Sequence, residues 1–186
     1  MLKRIMACKE REDNVNKLLS SLGERVEVIW DEDHNACHTL CRALDTDEAM
    51  LFMEDDIELC KDFLKKAMKE INEHPDYFIM FYACKQWEKM ETENKEKWMP
   101  YNQPFVFTQA FYMPVWVGKW LVEFLKDDWN ANHCRYSIWI NKYLVENNVP
   151  RYLVLPALVQ HIGDTSLLEP NKRTWRMHQS VTYRYE

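Results

Sequence analysis

The sequence predicts an α/β protein with a mostly parallel sheet, and three observations carry that prediction. Strand-like and helix-like segments alternate from the N-terminus. Residues 49–53 (AMLFM) are continuously apolar, as in a central strand buried on both faces. The chain has 186 residues, 47% of them hydrophobic and 29% charged. That is the length of one domain, able to bury ~70% of its unfolded surface.

The elements follow in order. Residues 3–8 (KRIMAC) read as a first strand. A polar run over 9–14 opens a helix whose apolar face is Val15, Leu18, Leu19 and Leu22, with Gly23 as its C-terminal cap. Residues 25–30 (RVEVIW) alternate and are β-branched, a second strand. Asp31, Glu32 and Asp33 make an acidic loop, and 34–44 a second helix. After the apolar run at 49–53 comes Glu54-Asp55-Asp56. Leu59, Phe63, Leu64, Ala67, Met68 and Ile71 then line one helix face. Residues 77–83 form another apolar strand. The charged segment 84–104 reads as a long loop, a length at which loops are usually functional. A strand over 105–113 precedes Pro114, placed in the first turn of a helix to about residue 126. A helix over 138–146, a strand over 152–155 and an extended segment to His161 complete the chain.

Composition excludes several functions. The three glycines, Gly23, Gly118 and Gly163, are widely separated. A Walker A loop and a GxGxxG turn both need clustered glycines, so neither is present. The net charge of −6 argues against a general nucleic-acid coat, although Lys172, Arg173, Arg176 and Arg184 form a local basic stretch. No run approaches the ~18 apolar residues of a membrane helix. The N-terminal segment is too short for a signal peptide, so the expected location is cytoplasmic and the six cysteines are expected as free thiols. His34, Cys37, His38 and Cys41 fall on one helical face. Spread along ~10 Å of helix, they cannot converge on one zinc ion.

Two motifs carry chemistry. Three consecutive carboxylates after a buried strand repel one another and raise each other's pKa unless a cation lies among them. A hard divalent cation with oxygen ligands meets that need. In extended chain Glu54 and Asp56 share a side and Asp55 faces away. A solvated turn or a helix N-terminus is the plainer alternative. The second motif is His161 within PALVQHIGDTS. In open α/β sheets ligands bind at the carboxyl ends of the strands, where the triplet lies.

LFMEDDIEL after a β-α-β-α-β start, with PALVQHIGDTS near the C-terminus, resembles glycosyltransferases of the GT-A fold. The similarity points toward bacterial lipooligosaccharide-type galactosyltransferases and small phage relatives. It runs from the first strand to about Ser166. The resemblance implies a three-layer α/β/α sandwich forming one domain over 1–186. Within it, 1–56 is the nucleotide-binding half, 57–170 the acceptor half with the histidine block, and 171–186 a basic tail. It implies a nucleoside-diphosphate sugar as donor, a UDP-sugar first, and a glycan or a hydroxylated base in phage DNA as acceptor. It also implies Mn²⁺ or Mg²⁺ held by Asp56, His161 and Glu54, bridging the diphosphate as a Lewis acid. Nucleotide-sugar contacts are expected from Arg11, Asp31, Arg42, Asp55, Lys172 and Arg173. With a metal managing the phosphate charge, no glycine-rich loop is needed.

An inverting transferase also needs a base for the acceptor proton. Where the family places an acid at the start of the late helix, this chain has Arg135-Tyr136-Ser137. Asp128 is the favoured substitute, with Asp127 and His133 nearby. Trp87, Trp98 and Tyr101 are candidates to stack on the acceptor, or to pin their loop to the core. Two other readings stand beside this one. A nucleotidyltransferase shares the strand order but normally carries a glycine-rich loop where this chain has Ala7 to Arg11. A non-catalytic α/β binding protein would use the triplet only as a helix cap.

Overall fold

A computed structural model describes residues 1–23, 25–83, 108–127, 136–163, 180 and 182–186. The strands are β1 (Leu2–Ala7), β2 (Glu27–Trp30), β3 (Met50–Glu54), β4 (Ile57–Leu59), β5 (Phe78–Met80), β6 (Ala110–Met113), β7 (Arg151–Leu153) and β8 (Val159–His161). The helices are α1 (Glu12–Leu22), α2 (Ala36–Leu44), α3 (Phe63–Glu73), α4 (Val115–Asp127) and α5 (Tyr136–Glu146).

The main sheet has six strands in the order β2-β1-β3-β6-β5-β7. The β1–β2, β1–β3 and β5–β7 pairs are parallel, while β6 runs antiparallel to both neighbours. Five strands therefore share one direction, and the sheet is mostly parallel as the sequence predicts.

Pleating sorts the sheet residues between two cores. Leu51 and Met53 face a cluster with Val15, Leu18 and Leu22 of α1 and Phe63, Ala67 and Ile71 of α3. Met50 and Phe52 face the opposite way, toward Leu40 and Leu44 of α2, Val117, Leu121 and Leu125 of α4, and Ile140 and Leu144 of α5. This is a three-layer α/β/α sandwich. The continuous apolar run of β3 follows from burial on both faces.

Several boundaries differ from the sequence reading. Helix α2 begins at Ala36, because His34 takes a left-handed φ of 53° and Asn35 caps the helix. The four-residue His/Cys stripe therefore loses its first member from the helix. Residues 57–59 form β4, which pairs with β8 in a separate two-stranded sheet. The sequence reading placed Leu59 on the α3 face. In the structure Asp62, at φ 57°, separates the strand from the helix. Pro114 immediately precedes α4, and its carbonyl accepts from Val117 N at 3.1 Å.

The expectation of free thiols holds for Cys8, Cys41 and Cys60. It is corrected at Cys37, which is disulfide-bonded. Pairing is decided by the approach of two Cα atoms to within ~7 Å, a proximity that motif spacing does not report.

Candidate metal and diphosphate site

The carboxyl ends of β1 and β3 lie side by side, since Met6 is in register with Glu54. Beyond them the chain leaves β1 in a 3-10 turn (Lys9–Arg11) and leaves β3 in a bend at Asp55 and Asp56. The acidic triplet and Arg11 are thereby brought face to face.

Asp55 is gripped from the β1 side. Its Oδ2 accepts from Cys8 N at 2.8 Å and its Oδ1 from Arg11 Nη1 at 2.8 Å. Asn14 of α1 donates through Nδ2 to the carbonyls of Asp55 and Ile57, which fixes the backbone of the bend. The thiol of Cys8 is pushed up to about 12 by burial and by the Asp55 charge, so it is no thiolate nucleophile.

Asp56 faces the other partner. Its Oδ2 lies 3.1 Å from His161 Nε2 and 2.9 Å from Arg11 Nη1. Its Oδ1 is buried and has no hydrogen-bond partner among the described residues. The histidine is delivered by the small sheet: Ile57 is in register with His161, and Ile162 N donates to Asp56 O at 2.8 Å. Gly163 closes the approach. A Cβ there would lie 2.8 Å from Asp56 Oδ2 and 3.1 Å from His161 Nε2, so no larger residue fits without displacing the pair.

The charges respond to one another. Burial would raise the Asp56 carboxyl, but the hydrogen bond from His161, then the charges of His161 and Arg11, hold it below the usual carboxylate range. Burial would lower His161, but the Asp56 hydrogen bond and the negative charges of Asp56 and Glu54 hold it above its ordinary value. Arg11 is likewise raised, burial being outweighed by Asp56 and Asp55.

Glu54 is held differently. Its Oε1 accepts from Thr108 Oγ1 at 2.7 Å and from Tyr136 Oη at 3.0 Å. Burial first, then the charge of Asp56, raises its carboxyl to about 7 against the pull of those two hydroxyls. Tyr136 is raised well above an ordinary tyrosine by burial and by Glu54, so it stays a proton donor at neutral pH. The strict alternation expected of the triplet gives way after Glu54. Because the chain bends there, Arg11 reaches Asp55 and Asp56 with one nitrogen.

Arg11, Glu54, Asp55, Asp56 and His161 are thus brought together. Asp31 and Arg42 form a second knot at the end of β2. Asp31 Oδ1 accepts from Asn35 N and from Thr39 Oγ1, each at 3.0 Å. Arg42 Nη2 donates to Trp30 O at 2.9 Å and to Thr39 Oγ1 at 3.1 Å. These contacts tie α2 to β2. Asp127 is the last residue of α4. Asp128, His133, Trp87, Trp98, Tyr101, Lys172 and Arg173 lie outside the described residues.

Sequence reasoning missed Asn14, Thr108, Tyr136 and Gly163. The rarity of glycine directly after His161-Ile162 was the one signal that could have found Gly163. Nothing in the sequence joins Thr108 or Tyr136 to Glu54.

Among the described residues no three His, Cys, Asp or Glu side chains are grouped to cage a metal. Asp56 and His161 are the carboxylate and imidazole that the bend brings together, and an ion held there would require His161 in its neutral form and further ligands from outside the pair. Such a sparse set suits a cation that keeps waters and takes phosphate oxygens from its ligand.

No family model and no curated protein matches the sequence. Among solved structures the chain is similar to the crystal structure of a glycosyltransferase involved in the glycosylation of the major capsid of PBCV-1. The identity is 11% and the TM-score 0.48, covering 87% of this chain and 94% of that one. At that distance the likeness transfers no donor, acceptor or residue role.

Proposed function

We propose that this chain is a metal-dependent glycosyltransferase moving a sugar from a nucleoside-diphosphate sugar, a UDP-sugar first among donors, to a hydroxyl acceptor on a glycan or a modified DNA base. The observation that carries this reading is Asp56. It stands at the carboxyl end of the sheet with one oxygen on Arg11 and His161 and the other buried without a partner among the described residues. A buried, unpaired carboxylate oxygen is costly unless a ligand completes it.

In this reading Asp56 and His161 hold Mn²⁺ or Mg²⁺, which when bound supplies Lewis-acid stabilisation of the departing diphosphate. Arg11 offers the diphosphate a guanidinium, and Lys172 and Arg173, outside the described residues, are the further basic candidates to contact it. Glu54, whose Oε1 is held by Thr108 and Tyr136, would contribute its other oxygen to the metal or to a donor hydroxyl. The bond from the anomeric carbon to the phosphate oxygen breaks and a bond to the acceptor oxygen forms. The acceptor proton goes to a carboxylate, Asp128 or Asp127. Asp31 and Arg42, at the end of β2, serve the nucleoside.

The test is calorimetry with UDP, GDP, CDP and ADP, with and without Mn²⁺, on the wild type and on Asp56→Ala. The expected outcome is Mn²⁺-dependent binding of one nucleotide, weakened ~100-fold in the variant. The Arg11 contact with both Asp55 and Asp56 favours a second reading, a non-catalytic binding protein whose acidic turn is closed by its own ion pair. Nucleotide binding indifferent to Mn²⁺ and to Asp56 is the result that would establish it.

A further inference from the structure

A single nitrogen of Arg11 stands where two acidic side chains converge. Nη1 is 2.8 Å from Asp55 Oδ1 and 2.9 Å from Asp56 Oδ2. All three side chains are largely buried, at 21%, 6% and 13% exposure respectively. His161 Nε2 adds a second contact to the same Asp56 oxygen. The acidic pair therefore already has a resident cation.

A divalent ion approaching Asp56 Oδ1 would meet a carboxylate whose other oxygen already carries Arg11. Like charges a few ångströms apart with little water between them repel strongly. A bare ion is therefore disfavoured while Arg11 stays. A diphosphate changes the balance, because it brings negative charge of its own. A guanidinium forms short, charge-assisted bonds to phosphate oxygens and can exchange a carboxylate for them.

The surroundings permit that exchange. If Arg11 rotates away, Asp55 still accepts from Cys8 N, Asp56 keeps His161, and Asn14 still holds the bend. Neither carboxylate is stripped of its last partner. The 3-10 turn that carries Arg11 is fixed through its own backbone, Arg11 N donating to Cys8 O at 3.2 Å. Only the side chain needs to move.

We infer that Arg11 is a specificity-determining residue that makes the acidic cluster select a metal–diphosphate complex over a bare divalent ion. This rests on the metal-dependent reading above. It predicts that ion and diphosphate bind with strong mutual dependence, and that removing the guanidinium uncouples them.

The experiment measures Mn²⁺ binding without nucleotide, from the loss of the free-ion electron paramagnetic resonance signal. It is repeated with UDP, GDP, CDP and ADP in turn. The proteins are the wild type, Arg11→Met and Arg11→Gln, with circular dichroism to confirm folding. Gln keeps a hydrogen-bond donor near Asp55, so it remains informative if the Met variant does not fold. The expected result is that the neutral variants bind Mn²⁺ alone about tenfold more tightly and lose most of the gain that the nucleotide gives the wild type. If the variants bind Mn²⁺ alone no better than the wild type, while the wild type binds it with nucleotide, this inference fails and the metal-dependent reading stands. If no protein binds Mn²⁺ with or without nucleotide, both fail.

Discussion

Glu54 ionises against its surroundings, and that has a consequence for pH. Its carboxyl rises from 4.5 to about 7 because it is buried beside Asp56. A carboxyl raised on folding contributes stability that is full below its unfolded pKa and is lost as pH climbs through the folded one. The expected loss from this group runs from pH ~4.5 to ~7 and amounts to about 3 kcal/mol. His161, also raised, adds a loss in the same direction above its unfolded value of 6.5. Asp56, held low, acts oppositely and costs stability only as pH falls below 3.8. Urea titrations from pH 4.5 to 7.5 should therefore show the wild type weakening with pH. Glu54→Gln should remove most of that slope, and an unchanged slope would locate the buried charge elsewhere. Gly163→Ala tests the same cluster sterically. Its Cβ would drive Asp56 from His161, for an expected loss of 1–3 kcal/mol, read from the urea midpoint, together with weaker Mn²⁺-dependent nucleotide binding.

Helix α2 illustrates how a local cap sets an element. Asn35 Oδ1 accepts from Cys37 N and His38 N, each at 3.2 Å. Asp31 in turn holds Asn35 N, so the acidic loop and the helix start are one unit. Asn35→Ala should cost about 1 kcal/mol of stability by chemical denaturation. The cap was legible in hindsight but was overridden by the periodicity that ran through His34. Elements with ten or so residues of apolar spacing, such as α1 with Gly23 left-handed at its end, were legible from sequence. Strand β4 was not. Three residues give no period, and Leu59 fits the following helix face equally well. Its pairing with β8, a hundred residues away in the chain, is what makes it a strand.

The six-stranded sheet is bound through its middle by aromatic stacking. Phe111 of β6 lies between Phe52 of β3 and Phe78 of β5, with ring centroids 4.7 Å from each. The antiparallel strand is thus clamped between two parallel blocks. Phe111→Ala should cost 3–5 kcal/mol, measured as a shift in the denaturation midpoint, with a cavity open to both neighbours. The layer order of the molecule was legible because burial on two faces leaves a continuous apolar run. The antiparallel turn of β6 was not, since direction depends on which strands become neighbours. For the candidate site, Asp56 and His161 could be paired from sequence only through a family pattern. Arg11's double contact and the hydroxyls on Glu54 required the folded backbone.

The small β4–β8 sheet has one more consequence, visible when the chain is considered in the order in which it is made. All six strands of the main sheet are present once Leu153 has been synthesised. His161 and Gly163 come afterwards. The whole of the main sheet is thus encoded ahead of the histidine that joins the acidic bend. On the metal-dependent reading proposed above, the pairing of Asp56 with His161 is therefore among the last parts of the ion site to be encoded.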